Sequence, residues 1–327
     1  MGKNQQRRIF KNTKDWQNYI QAASQQGINP SELLELRINC YKDIEKQRGR
    51  PLIVYASRFT ENALPGTPNN IDIQDIRYFT DVIDSIESNV RSVDILLHSP
   101  GGDANATERI VKLLRKRFEE VHFLIPHSAY SAATLLALSG DSISMHPSAT
   151  LGPVDPQVGI PSKNGMRFVP ARSILDGFEK MKESFKNNGV ESLPAYIPLI
   201  EDYSIDILEV CEKAEDLSRE LAEKWLTDYM FKNSSNKRTS IKKIASYFGN
   251  YNIHKSHTRP LMYDDMKNVG LQVNLVENSE KDLLWEAYIL IDGFFSVSPF
   301  VKLCENTYGT SVGTISSMYV QQQKESK

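Results

Sequence analysis

The chain has 327 residues, 40% hydrophobic and 9% aromatic, enough to bury a large core and too many for one small domain. Its 39 basic and 41 acidic residues leave a formal net charge of -2, which argues against a general polyanion-binding surface. Three widely spaced cysteines, Cys40, Cys211 and Cys304, form no CxxC pair, so neither a disulfide framework nor a cysteine zinc site is suggested, and reduced, buried thiols are expected.

The basic N-terminus "MGKNQQRRIFKNTKDW" lacks an apolar h-region, and Gln6 stands where a myristoylation signal wants Ser or Thr. No segment approaches an uninterrupted apolar run of about eighteen residues, so a soluble, cytoplasmic protein is expected. Residues 13–48 read as helices and lead into the apolar strand "PLIVYAS". After the loop "PGTPNN", Ile73, Ile76, Phe79, Val82 and Ile83 recur at helical spacing, and "SVDILLHS" reads as a buried strand. A helix over 104–118, the strand "VHFLIP", a helix over 131–138 and the short strand "SISMH" follow.

Strict alternation of strand and helix predicts an α/β core with a mostly parallel sheet and right-handed crossovers. From Ser173 the pattern turns helical, with an amphipathic helix over 203–230 that is a candidate assembly surface or an intrachain packing element. "KNSSNKRTS" is a polar break, beyond which "SIKKIASYFGN" and "RPLMYDDMKNVG" read as short helices and "LQVNLV" as a strand. The expected organisation is a helical N-terminal segment (1–50), an α/β core (51–200), a helical arm (201–232) and a C-terminal α+β extension (233–327).

Two turns carry the chemistry. Gly101 and Gly102 in "SPGGD" lie between a strand and a helix, where glycines let the backbone turn sharply and present amide N–H groups to an anion or a developing oxyanion. Alone, that motif also fits an ordinary strand-to-helix turn. Ser131 follows the next strand, so in a parallel sheet it faces the same crevice. There, the N–H groups of Gly102 and Ala132 could bind an oxyanion while Ser131 attacks. Ser131 could equally be a helix N-cap, though a cap does not explain the small residues of "AYSAAT" around it. Ser128 sits earlier in the turn and Ser139 at the helix end.

"HSPGGD" followed by "HSAYSAATLLALSGDSISMHPSATLGPVDPQ" resembles the Clp/crotonase superfamily. The likeness is nearest to the serine dehydrogenase proteinase family of Clp-fold serine proteases, relatives of signal peptide peptidase, and is strong over 52–174. The resemblance implies a repeated β-β-α/βα core with helical N-terminal and C-terminal extensions. It further implies Ser131 as nucleophile, Gly102 and Ala132 as oxyanion hole, a polypeptide substrate, a ring-like homo-oligomer, and no cofactor or metal. A membrane-protein or unfoldase partner to deliver substrate stays open.

The base is less determined. The Clp peptidase carries a histidine some way after its serine, but "SATLGPVDPQVG" contains none. Where signal peptide peptidases use lysine, "FVPARSIL" holds Arg172, which stays protonated. Lys163 and Lys180 are nearby substitutes that also read as solvated charges. The family's Ser, Asp, His order is available from Asp155 in "GPVDPQ" with His257, or His254, in "NIHKSHTRP"; His127, four residues before the serine, is a further alternative. The HxxH pair is a thin metal signal.

Two other functions compete. A crotonase-type acyl-CoA enzyme would need an acid/base carboxylate rather than a serine at the helix start. A catalytically silent scaffold would use the basic segment after residue 236 to bind nucleic acid or a partner as a helix-turn-helix. A basic helical cap explains that segment as well, and nucleic acid is the less expected partner.

Overall fold

In the computed structural model, residues 7–25, 27–60, 66–162, 165–189, 191, 193–200, 206–235 and 237–316 are described. The chain begins with α1 (Thr13–Ser24) and α2 (Pro30–Arg48), then enters the core with β1 (Leu52–Ser57), α3 (Asp75–Asp84), β2 (Ser92–His98), α4 (Ala104–Arg117) and β3 (Glu120–Ile125). Next come the two-residue β4 (Ser128–Ala129), α5 (Ala132–Leu138), β5 (Ser142–Met145) and β6 (Thr150–Leu151). A hairpin of β7 (Gln157–Ser162) and β8 (Gly165–Pro170) leads to α6 (Ala171–Asn188), α7 (Leu193–Ile200) and α8 (Ile207–Trp225), which ends in a π-helical turn, Leu226–Met230. The C-terminal third contributes α9 (Lys237–Gly249), α10 (Tyr251–His254), α11 (Tyr263–Val269), β9 (Val273–Leu275), α12 (Asn278–Val297), β10 (Phe300–Asn306) and β11 (Ser311–Ile315).

Seven strands form the central sheet in the order β11-β10-β1-β2-β3-β5-β9. From β1 to β9 every pairing is parallel, and β10 and β11 add an antiparallel edge. The buried strands read as continuous apolar runs because helices cover both faces. Along β1, Ile53 and Tyr55 enter one core with α3, α4, α5 and α9, while Leu52, Val54 and Ala56 enter a second with α2 and α12. This is the mixed α/β architecture expected. The segment read as a C-terminal extension supplies β9, β10 and β11, so these three strands are built into the same sheet as β1.

Monotonic strand order places the carboxyl ends of β2 and β3 side by side. The turn after β2 and the chain after β3 are therefore neighbours, joined by the Ser99–Ala129 bridge. Helix α8 buries Cys211, Ser218, Leu221, Ala222 and Trp225 and packs against α6, α9 and α5, so intrachain packing accounts for its apolar face; residues 203–205 of the expected helix lie outside the described residues. All three cysteines are buried and free. Among the described residues, no helix is long and apolar enough to cross a membrane.

Candidate active site

Ser131 occupies the residue before α5, yet it is not a cap. Its side chain makes no capping hydrogen bond, and its φ of 51° and ψ of -122° lie far from the extended backbone of a capping residue. These angles belong to the first central position of a type II′ turn, where glycine is usual. A non-glycine residue held there costs about 1–3 kcal/mol, and such strain persists only where surrounding structure enforces it.

That enforcement is visible. Tyr130 N donates to Ser99 O at 3.0 Å, Ala133 N to Tyr130 O at 2.9 Å and Leu135 N to Ser131 O at 3.0 Å. Tyr130 and Thr150 hydroxyls meet at 3.0 Å, and Thr134 Oγ1 donates to Ala129 O at 2.7 Å while accepting from Gly152 N at 3.0 Å. The Gly-Gly turn closes the opposite side. At Gly101, with φ 99°, a Cβ would lie 2.5 Å from Tyr130 O and 2.8 Å from Ser131 Cβ. At Gly102, with φ 151°, it would lie 2.2 Å from Ile71 O. Both positions therefore need glycine, and the two turns are in direct contact. Asp103 caps α4, its carboxylate accepting from Ala106 N at 2.6 Å.

Gly102, Ser131, Ala132 and His257 line one cleft of about 950 Å³, with Phe59, Ile71, Leu135, Val154, Phe168 and Leu217 forming apolar walls. The backbone N–H groups of Gly102 and Ala132 have no hydrogen-bond acceptor among the described residues.

His257 reaches the cleft because its loop is tied down. Leu151 and Leu261 exchange two backbone hydrogen bonds of 2.9 Å, and Val154 N donates to Phe248 O at 2.8 Å, which together dock the loop after α10 beside "GPVDPQ". His257 Nδ1 lies 3.0 Å from Asp155 Oδ1, and the Asp155 side chain is 2% exposed. An ionised carboxylate only accepts, so Nδ1–H donates and Nε2 is the basic nitrogen. The other carboxylate oxygen, Oδ2, accepts from Gln157 Nε2 at 3.1 Å. Sequence reading missed Gln157, whose only signal is its spacing of two from Asp155, just before β7.

The other candidates lie elsewhere. His254 is buried at the end of α10, with Nε2 2.6 Å from Tyr247 O, and burial holds its pKa below the ordinary value. His127 hydrogen-bonds Ser128 through Nδ1 at 2.7 Å and stacks on Tyr288, lining a different cavity with Trp285 and Asp292. Lys163 lies outside the described residues, and Lys180 is exposed on α6. Arg172 is paired with Glu215. Ser139 Oγ donates to Leu136 O at 2.6 Å within its own turn. Among the described residues, no group of three or more His, Cys, Asp or Glu is placed to hold a metal ion.

The segment read as a helix-turn-helix buries Ile241, Ile244, Ala245 and Phe248 of α9 and Met266 and Val269 of α11 in the main core. His257, between α9 and α11, lines the cleft.

The chain is similar to two uncharacterized proteins of Methanocaldococcus jannaschii. MJ1495 is 29% identical over 241 residues, 73% of this chain and 71% of that protein, and MJ0137 is 26% identical over 263 residues, 80% and 81% respectively. Among solved structures, a mutant of the membrane-bound stomatin-specific protease 1510-N aligns with a TM-score of 0.39 at 16% identity, over 65% of this chain and 77% of that one. A ClpP1 mutant from Listeria monocytogenes aligns with a TM-score of 0.36 at 12% identity, over 74% of this chain and 97% of that one. The family model of the ClpP-like SDH-type serine proteinases matches residues 23–290, and the chain belongs to that family.

Proposed function

We propose that the protein is a serine peptidase in which Ser131 is the nucleophile, His257 the general base and Asp155 the residue that orients it. The observation that carries this reading is the His257–Asp155 hydrogen bond of 3.0 Å beside a cleft that also contains a strained, uncapped serine. His257 Nε2 takes the proton of Ser131 as Oγ adds to the peptide carbonyl carbon. The negative charge that develops on the carbonyl oxygen is met by the N–H groups of Gly102 and Ala132. His257 then returns the proton to the leaving amine, and water hydrolyses the acyl-serine by the same sequence of transfers. Asp155 stays ionised and holds the imidazole in the tautomer this requires.

The substrate is an extended polypeptide, since the cleft pairs apolar walls with backbone donors. The family's homo-oligomeric habit extends to this chain, and sedimentation at several concentrations tests it. A crotonase-type acyl-CoA reading lacks the carboxylate it would need at position 131.

Labelling by a fluorophosphonate probe tests the whole assignment. Wild type and His254→Ala should label, while Ser131→Ala should not and His257→Ala should label far more slowly. Equal labelling of wild type and Ser131→Ala would remove Ser131 as nucleophile; no labelling of wild type in any assembly state would favour a silent scaffold.

A further inference from the structure

Lys302, on β10, is 1% exposed. A buried ammonium is costly unless it is paired, so its partners show what it holds. Nζ donates to Asn70 O at 3.0 Å, Asp72 Oδ2 at 2.8 Å and Asp75 Oδ2 at 3.0 Å, which engages all three of its protons. Asp75 is itself 0% exposed and accepts from Tyr55 Oη at 2.8 Å and Asp72 N at 2.8 Å. Burial pushes the Asp75 carboxyl up, and Lys302 opposes that shift.

Two of the ammonium's three partner residues flank one residue, Ile71. Its N–H donates to Gly101 O at 2.7 Å and its carbonyl accepts from Asp103 N at 2.9 Å, so Ile71 brackets Gly102 from both sides. Asn70, Ile71 and Gly102 line the cleft together. Pairing with Asp75 alone would not require the Asn70 carbonyl or the Asp72 carboxylate.

We propose that Lys302 is a positioning residue: by holding Asn70 and Asp72 it fixes Ile71, and through Ile71 the Gly101–Asp103 backbone that presents the Gly102 N–H to the oxyanion. Lys302 touches neither substrate nor reacting atoms. Its role in the reaction rests on the peptidase reading; its role in holding the turn does not.

Two variants test it in the full chain. Lys302→Met with Asp75→Asn removes the cation without stranding a buried charge, which single truncation would do; Asp72→Asn takes the charge from one rim contact and keeps the buried pair. Two readouts are taken on each: amide hydrogen exchange in peptides covering 69–75 and 99–106, with 52–57 as reference, and kcat and KM on an unstructured fluorogenic peptide. The expected result is selective loss of protection at Ile71 and Asp103, with kcat down about 10- to 100-fold in the double variant, less in Asp72→Asn, and KM within about twofold. Unchanged exchange at those amides overturns the proposal whatever the kinetics. Lost protection with unchanged kcat also overturns it. Wild type that turns over no peptide sinks the peptidase reading, and the exchange measurement then decides whether Lys302 holds the turn.

Discussion

Replacing Ser131 by glycine should stabilise the protein while abolishing its proposed chemistry. The backbone at Ser131, φ 51° and ψ -122°, is one that glycine adopts without strain and that a Cβ makes costly. That strain is worth about 1–3 kcal/mol, and glycine's greater freedom in the unfolded chain takes back about 0.5–1 kcal/mol. Comparison with Ser131→Ala, which keeps the Cβ and loses only the hydroxyl, isolates the backbone effect; the glycine variant should be more stable by about 0.5–2 kcal/mol. With an unfolding entropy of about 2.1 cal/mol/K per residue, that corresponds to a midpoint higher by about 1–3 °C. Calorimetry at one fixed protein concentration reads the shift and removes any contribution from assembly. Both variants should be dead to the fluorophosphonate probe. A glycine variant no more stable than the alanine variant would show that the turn stores no strain, and would return Ser131 to an ordinary helix-start residue.

Further outcomes follow from the same geometry. Asp155→Asn should keep the fold but lower kcat/KM about 10³- to 10⁴-fold, because an amide can hold the imidazole in the wrong tautomer; a loss under tenfold would remove Asp155 from the triad. His254→Ala should cost about 1–3 kcal/mol in a urea titration, by removing the 2.6 Å hydrogen bond to the part-buried Tyr247 carbonyl, while labelling of the folded protein is unchanged. Burial, with neighbouring His127, holds His98 at a pKa of about 3, below its ordinary 6.5. Its neutral form is therefore favoured in the folded state, and its contribution to stability is complete above about pH 6.5 and lost as pH falls, by about 1.4 kcal/mol per unit. His122, His146 and His254 shift in the same direction. His98→Phe should flatten the urea-midpoint profile between about pH 6.5 and 5 by close to one proton; an unchanged slope would refute the assignment.

The sequence by itself determined the elements that depend on local pattern. Continuous apolar runs such as "LIVYAS" and "DILLHS" in alternation with amphipathic helices read as buried parallel strands, and parallel order then placed Gly102, Ser131 and Ala132 at one sheet edge. Other properties come from contacts distant in the chain. Whether Ser131 was a cap or something else turned on its dihedral angles, which Gly101, Ser99 and Thr150 impose together. His254 and His257 stand three residues apart in the same polar stretch of sequence, and periodicity cannot separate them. The Leu151–Leu261 bridge turns one toward Asp155, and helix α10 buries the other against Tyr247. Lys302 gave no signal at all, since its partners lie some 230 residues earlier in the chain. Such partners are chosen by which strands pair in the sheet, and pairing is a property of the folded chain.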